Sequence, residues 1–250
     1  MNTRLVTEIH QTIKTAGDHN DPQPERRYHK HDEYLTYGLY TADFRKIMTG
    51  FQPQILLLPL DERLDVAAKL LSEHIGELGH AGIIILKLSV DELEPAHFPR
   101  LDNMVLDFRS WSHVDHFCGD VIKPLLSKYP KETLTLLEAW NESPNRFKRR
   151  ASVVAFTRGV GASSEYTGEV LHLCDNLIWD SEDIVQKGVG WALKDNMRSS
   201  PDRIKSYVKD LRSKGVSSTI TLYAIRDLKG EERQEILAIK KGSPVLHNQG

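Results

Sequence analysis

DIVQKGVGWALK (183–194) reads as one amphipathic helix, because its apolar residues return at intervals of three and four. Degenerate copies of the same element occur in LPLDERLDVAAKLL (58–71), RSWSHVDHFCGDVI (109–122), NRFKRRASVVAF (145–156) and SSTITLYAIRDL (217–228). From Phe147 to Val185 is 38 positions, and from Val185 to Ile220 is 35. A further helix ending in a turn precedes these copies, LLEAWNESPN before one and LCDNLIWDSED before the next. A helix pair recurs.

Helix pairs of that period are the signature of HEAT-like solenoids, where each pair can bury its apolar stripe only against its neighbours. The expected fold is all-α, a curved solenoid of HEAT-like antiparallel helix pairs with the second helices on the concave side. One such repeat domain is expected over 1–250, with KKGSPVLHNQG (240–250) as a disordered tail. The breaks between helices are short and polar (FQPQ, NESPN, WDSED, RSSPD, LRSKG), and HNDPQPERR (19–27) is the longest. HKHDEY (29–34) reads as a polar helix start, and Ser143, Ser181 and Ser200 as helix caps.

The chain of 250 residues is 40% hydrophobic and 27% charged, an ordinary globular mixture. No apolar run reaches the roughly 18 residues that span a bilayer; AGIIILKL (81–88) is short and carries Lys87. The N-terminal MNTRLVTEIHQ has no apolar signal core, so a cytoplasmic protein without a membrane partner is expected. Cys118 and Cys174 form no disulfide framework and read as buried thiols. His116 and His172 each stand two before a cysteine, but no C-x-x-C or H-E-x-x-H occurs, and neither a metal nor a cofactor is expected.

The net charge of −2 excludes a wholly basic nucleic-acid binder, yet the charges are unevenly spread. Residues 145–160 hold five basic side chains and no acidic one. Residues 187–214 are also rich in Lys and Arg, while acidic residues gather in DELE (91–94) and GEERQE (230–235). One basic face on a neutral body fits this pattern, as does a set of solvated helix faces. In SWSHVDHF (110–117), Trp111 and Asp115 are four apart and share a helix face. Corresponding positions of later copies carry Lys148, Arg149 and Arg150, then Trp191 and Lys194. A carboxylate, an arginine and two indoles on one surface suit a cationic, sugar-like transition state beside a phosphate backbone. Trp140 and Trp179, at helix ends before turns, read as structural.

The order SW-x-x-VD, then W-N-E-S-x-N leading to K-R-R-A, then QKGVGWALK, resembles the AlkD-like DNA alkylation repair enzymes. The resemblance runs from about RRYHKHDEYLTYGLYTADFRKIM to the helix after residue 217. It implies a monofunctional DNA glycosylase acting on alkylated purines of the 3-methyladenine and 7-methylguanine type in duplex DNA, as a single chain. It implies Asp115, Trp111, Trp191 and Arg150 as catalytic residues. Lys148, Arg149, Lys187, Lys194 and Tyr40 are the expected DNA contacts. The chain departs from the family where Ser110 and Ser112 flank the tryptophan, where Tyr40 takes a position at which relatives carry glutamine, and where SSTITLYAI lacks an Arg-Glu-Ala. Two other functions remain open from sequence: a noncatalytic DNA-binding repeat protein, and an interaction scaffold using Trp111 and Trp191 as hot spots.

Overall fold

The computed structural model describes residues 2–17 and 34–242. The break at 19–27, the HKHDE (29–33) of the expected helix start and the tail from residue 243 lie outside the described residues. The fold is all-α. Among the described residues the one strand-like pairing is a bridge between Leu35 and Ile75, where the Gly76 N–H donates to the Leu35 carbonyl at 2.7 Å. No helix of the described residues is long and apolar enough to cross a membrane. The chain divides into two compact units, Met1–Leu134 and Thr135–Gly250.

The first unit contains α1 (Thr3–Gly17), α2 (Thr41–Leu56), α3 (Leu60–Ser72), α4 (Gly76–Ser89), α5 (Phe98–Met104), α6 (Trp111–Phe117) and α7 (Lys123–Lys128). Its organising element is α4, GELGHAGIIILKLS, which is apolar around most of its circumference and packs against α1, α2, α3 and α6. A helix hydrophobic on all sides belongs in an interior, and Leu78, Ile83, Ile85 and Leu86 are fully buried. Two glycines set how closely its neighbours approach. A Cβ on Gly82 would lie 2.8 Å from the Ala67 carbonyl of α3, and one on Gly79 would lie 2.5 Å from the His113 ring of α6. Between α6 and α7 the backbone winds as a π-helical turn, Cys118–Ile122.

Helix α8 (Pro130–Asn141) carries the division between the units. The second unit continues with α9 (Arg146–Val154), α10 (Thr167–Leu177), α11 (Asp183–Asn196), α12 (Pro201–Ser213), α13 (Ser218–Ala224) and α14 (Gly230–Ala238). Here α9, α11 and α13 pack in series, α9 on α11 and α11 on α13. They are three of the quoted copies, and their apolar stripes are buried, with Phe147, Val185, Val189 and Ile220 among the core residues. The five copies are all helical.

The helix starts differ from expectation. Ser143 precedes the cap: Asn145 caps α9, its Oδ1 accepting from the N–H groups of Phe147 at 2.8 Å and Lys148 at 3.2 Å. Glu182, not Ser181, stands before α11, and Ser200 makes no side-chain capping bond, its hydroxyl bonding instead to Thr167. Ser110 and Ser217 cap α6 and α13. A cap is decided by whether a side-chain oxygen reaches the free N–H groups of the first turn. Residue type alone does not fix that.

Candidate functional site

In the first unit, Ser110 starts α6 and is fully buried, its Oγ accepting the Ser112 N–H at 3.0 Å. The cap fixes where the helix begins. It therefore fixes Trp111 in the first turn and Asp115 one turn later, both half-buried. The opposite side of the same turns is anchored: His113, Val114 and Phe117 are buried, and His113 Nε2 hydrogen-bonds with the Gly76 carbonyl at 2.9 Å. The expected pairing of Trp111 and Asp115 on one helix is thus what this backbone provides.

A chain of polar groups runs beside them and was not singled out from sequence. Ser112 Oγ meets His80 Nε2 at 3.2 Å, and His80 Nδ1 meets His116 Nδ1 at 3.0 Å. His116 Nε2 lies 3.3 Å from Asp120, which Lys87 also pairs at 3.0 Å. Two imidazoles joined Nδ1 to Nδ1 need one proton between them, since two N–H donors cannot share that bond. Burial, first, holds His116 below the usual imidazole range; Lys87 and Arg45 push the same way, and Asp120 opposes them. A histidine with a depressed folded pKa binds fewer protons in the native than in the unfolded state, so stability falls as acid is added. The loss begins near pH 6.5, the ordinary imidazole value, and ends at the lowered folded value. His116→Gln should flatten this limb of a melting-temperature profile between pH 7 and pH 5; a profile parallel to wild type would contradict it.

The second unit treats its basic run differently from expectation. No residue of Lys148, Arg149 and Arg150 is a solvated surface charge: Lys148 and Arg150 are buried, and Arg149 is mostly so. Arg150 Nη1 donates to the Ile184 carbonyl at 2.5 Å, tying α9 to the start of α11. Arg149 donates to Asp180 at 2.6 Å and to the carbonyls of Ser143 and Pro144 at 2.9 Å. These bonds occupy its guanidinium within the fold. Lys194 is mostly buried against Asp195 at 3.1 Å and Asp227 at 3.5 Å, while Lys187 is exposed and paired with Asp183 at 2.6 Å.

The remaining basic residues of 187–214 are also largely matched. Lys205 pairs with Glu232 at 2.9 Å, Lys209 with Glu235, and Lys214 with Asp210 at 2.6 Å. The acidic stretch GEERQE therefore lies against the basic one, and these lysines form neither one continuous basic face nor a set of unpaired solvated charges. Trp191 is half-buried, with the Arg158 guanidinium 5.5 Å from its ring centre. Tyr40, immediately before α2, is 70% exposed. Trp140 is buried as expected, but Trp179 is 38% exposed and is not a core residue.

Both cysteines are buried thiols, in no disulfide. Burial pushes the Cys174 thiol well up, with Asp175 adding to it, so it stays protonated and unreactive. Among the described residues no group of His, Cys, Asp and Glu is arranged to hold a metal ion.

Three comparisons bear on this arrangement. The model of the family described as DNA alkylation repair enzyme matches residues 9–228. No curated protein matches the chain significantly. Among solved structures, one described as a predicted DNA alkylation repair enzyme from Enterococcus faecalis superposes with a TM-score of 0.71 at 16% identity, covering 84% of this chain and 96% of that one. At that identity the likeness is one of fold.

Proposed function

Because the chain belongs to the DNA alkylation repair enzyme family, we propose that it is a monofunctional DNA glycosylase that hydrolyses the N-glycosidic bond of cationic alkylated purines in duplex DNA. The observation that carries the reading is the Ser110-capped turn presenting Trp111 and Asp115 from one helix, within the span the family model matches.

Alkylation at N3 or N7 makes the purine cationic, so it leaves as a neutral base and needs little help from a general acid. As the C1′–N bond breaks, its electron pair stays with the base and positive charge develops on the deoxyribose. The Asp115 carboxylate stabilises that charge and takes a proton from the water whose oxygen bonds to C1′. This follows the logic of glycoside hydrolysis without a second carboxylic acid. The Trp111 face lies against the sugar, where an indole favours a cation. In the second unit, Trp191 and Arg150 act on the DNA backbone, with Lys148, Lys187 and Lys194 adding positive charge; Tyr40 contacts DNA from the first unit. Such contacts give affinity without reading sequence. No lysine is assigned as a Schiff-base nucleophile, so strand nicking does not accompany base loss.

The test is incubation with methylated duplex DNA, followed by chromatography of the released bases. Free 7-methylguanine or 3-methyladenine with an intact abasic strand is expected. Salt-sensitive binding without release would replace this reading by a noncatalytic DNA-binding protein, and absence of both by a scaffold.

A further inference from the structure

The loop between α9 and α10 holds an arginine in a conformation that its residue type disfavours. Arg158 has φ of +58°, in the left-handed region. A non-glycine residue there is uncommon, and persists where surrounding structure over-determines it. That structure is present. The Arg158 N–H donates at 2.6 Å to Asp195 Oδ2, a carboxylate 2% exposed at the end of α11. Two neighbours of Asp195 hold the same loop: Asn196 Nδ2 donates to the Phe156 carbonyl at 3.1 Å, and Ser199 Oγ to the Gly161 carbonyl at 2.6 Å.

The bonds fix the backbone and leave the side chain outside. Arg158 is exposed, and its guanidinium stands over the Trp191 ring at 5.5 Å. No hydrogen bond or ion pair joins that guanidinium to another of the described residues. Other cations of this unit are paired with carboxylates: Lys187 with Asp183, Lys194 with Asp195 and Asp227, and Arg198 with Asp227. A cation–π contact holds the guanidinium at the indole without using its N–H donors, and such a planar fork matches the paired oxygens of a phosphate.

We propose that Arg158, seated on Trp191, is a binding site for a backbone phosphodiester of the DNA. The proposal rests on the glycosylase reading and adds a residue that the basic run at 148–150 does not supply. It also gives Trp191 a second task, as the platform that aims the cation. Asp195 is a positioning residue, acting through the Arg158 backbone.

Arg158→Gly tests this well, because glycine takes positive φ without strain. The variant should melt no lower than wild type, so lost binding cannot be ascribed to lost folding. Binding of a labelled duplex, followed by fluorescence anisotropy from 50 to 200 mM NaCl, should weaken about tenfold near 0.1 M salt, and the slope of log K against log salt should fall by about 0.9, one phosphate contact. Arg158→Lys should restore the slope, because the charge returns. Arg4→Ala, which removes an equal charge from α1, should leave it unchanged. A wild-type slope in Arg158→Gly, in a protein whose wild type binds DNA and releases bases, overturns the Arg158 site alone. A wild type with neither salt-sensitive binding nor base release overturns the glycosylase reading and this site with it.

Discussion

Asp115→Asn is expected to lower the rate of base release by about 10²–10⁴-fold, the range found when a preorganised charge or general base is removed from a site. The substitution keeps the size of the side chain and removes its charge. The Ser110 cap and the buried His113–Gly76 anchor, which set the helix in place, remain. DNA affinity should stay about level, because the carboxylate acts on charge that appears only as the bond breaks. Single-turnover release from methylated duplex, with anisotropy on the same preparations, separates the two quantities. Equal release rates in wild type and variant would remove Asp115 from the mechanism. Equal losses of release and binding would make it a structural residue.

Glu77→Ala is expected to have the largest effect on stability. Glu77 lies in the first turn of α4 and is 6% exposed. Its Oε1 accepts from Thr36 Oγ1 at 2.7 Å and the Leu39 N–H at 3.0 Å, and its Oε2 from the Tyr37 N–H at 3.1 Å. One carboxylate thus anchors the segment leading to α2, and the positive end of α4 favours its charge. Alanine removes the acceptor of all three bonds at a largely buried place. The expected cost is about 3–5 kcal/mol, less than the sum of three charge-assisted bonds because the segment relaxes. That corresponds to a fall of roughly 6–20 °C in melting temperature. Hydrogen exchange should show the Tyr37 and Leu39 amides losing protection first. A melt within a degree of wild type, with both amides still protected, would show that the segment is held by other contacts. Glu77→Gln, which keeps the acceptor oxygen, should fall between.

The helices were legible because burial writes a periodic pattern into the chain. The five quoted copies each needed an apolar stripe, and stripes survive degeneracy at single positions. Trp111 and Asp115 were legible for the same reason: four residues on a helix is a fixed geometry. The basic run was misread because its surroundings are remote in sequence. Arg149 meets Asp180, and Arg150 meets the Ile184 carbonyl, both more than thirty positions away. Periodicity carries no information about such partners and cannot tell a buried charge from an exposed one. The lysines of α12 were misread in the same way, because Glu232 and Glu235 of α14 neutralise Lys205 and Lys209. Glu77 gave no signal at all, since a carboxylate that receives backbone N–H groups belongs to no motif. Trp179 misled by position, an aromatic at a helix end being as able to face water as the core.

The π-helical turn at Cys118–Ile122 makes the rod from Trp111 to Lys128 behave as two rods of different phase. A π turn holds about one residue more than an α turn, and one residue is about 100° of rotation. A helical wheel drawn through RSWSHVDHFCGDVI and beyond at constant pitch therefore misplaces everything after the turn by more than a quarter revolution. The added residue works as a phase shifter: Leu125 and Leu126 can be dialled into the interior while Trp111 and Asp115 keep their own bearing. A one-residue deletion there would let the turn close as ordinary α-helix with both halves at their present bearings, whereas a one-residue deletion between Trp111 and Asp115 would swing the two away from a common face.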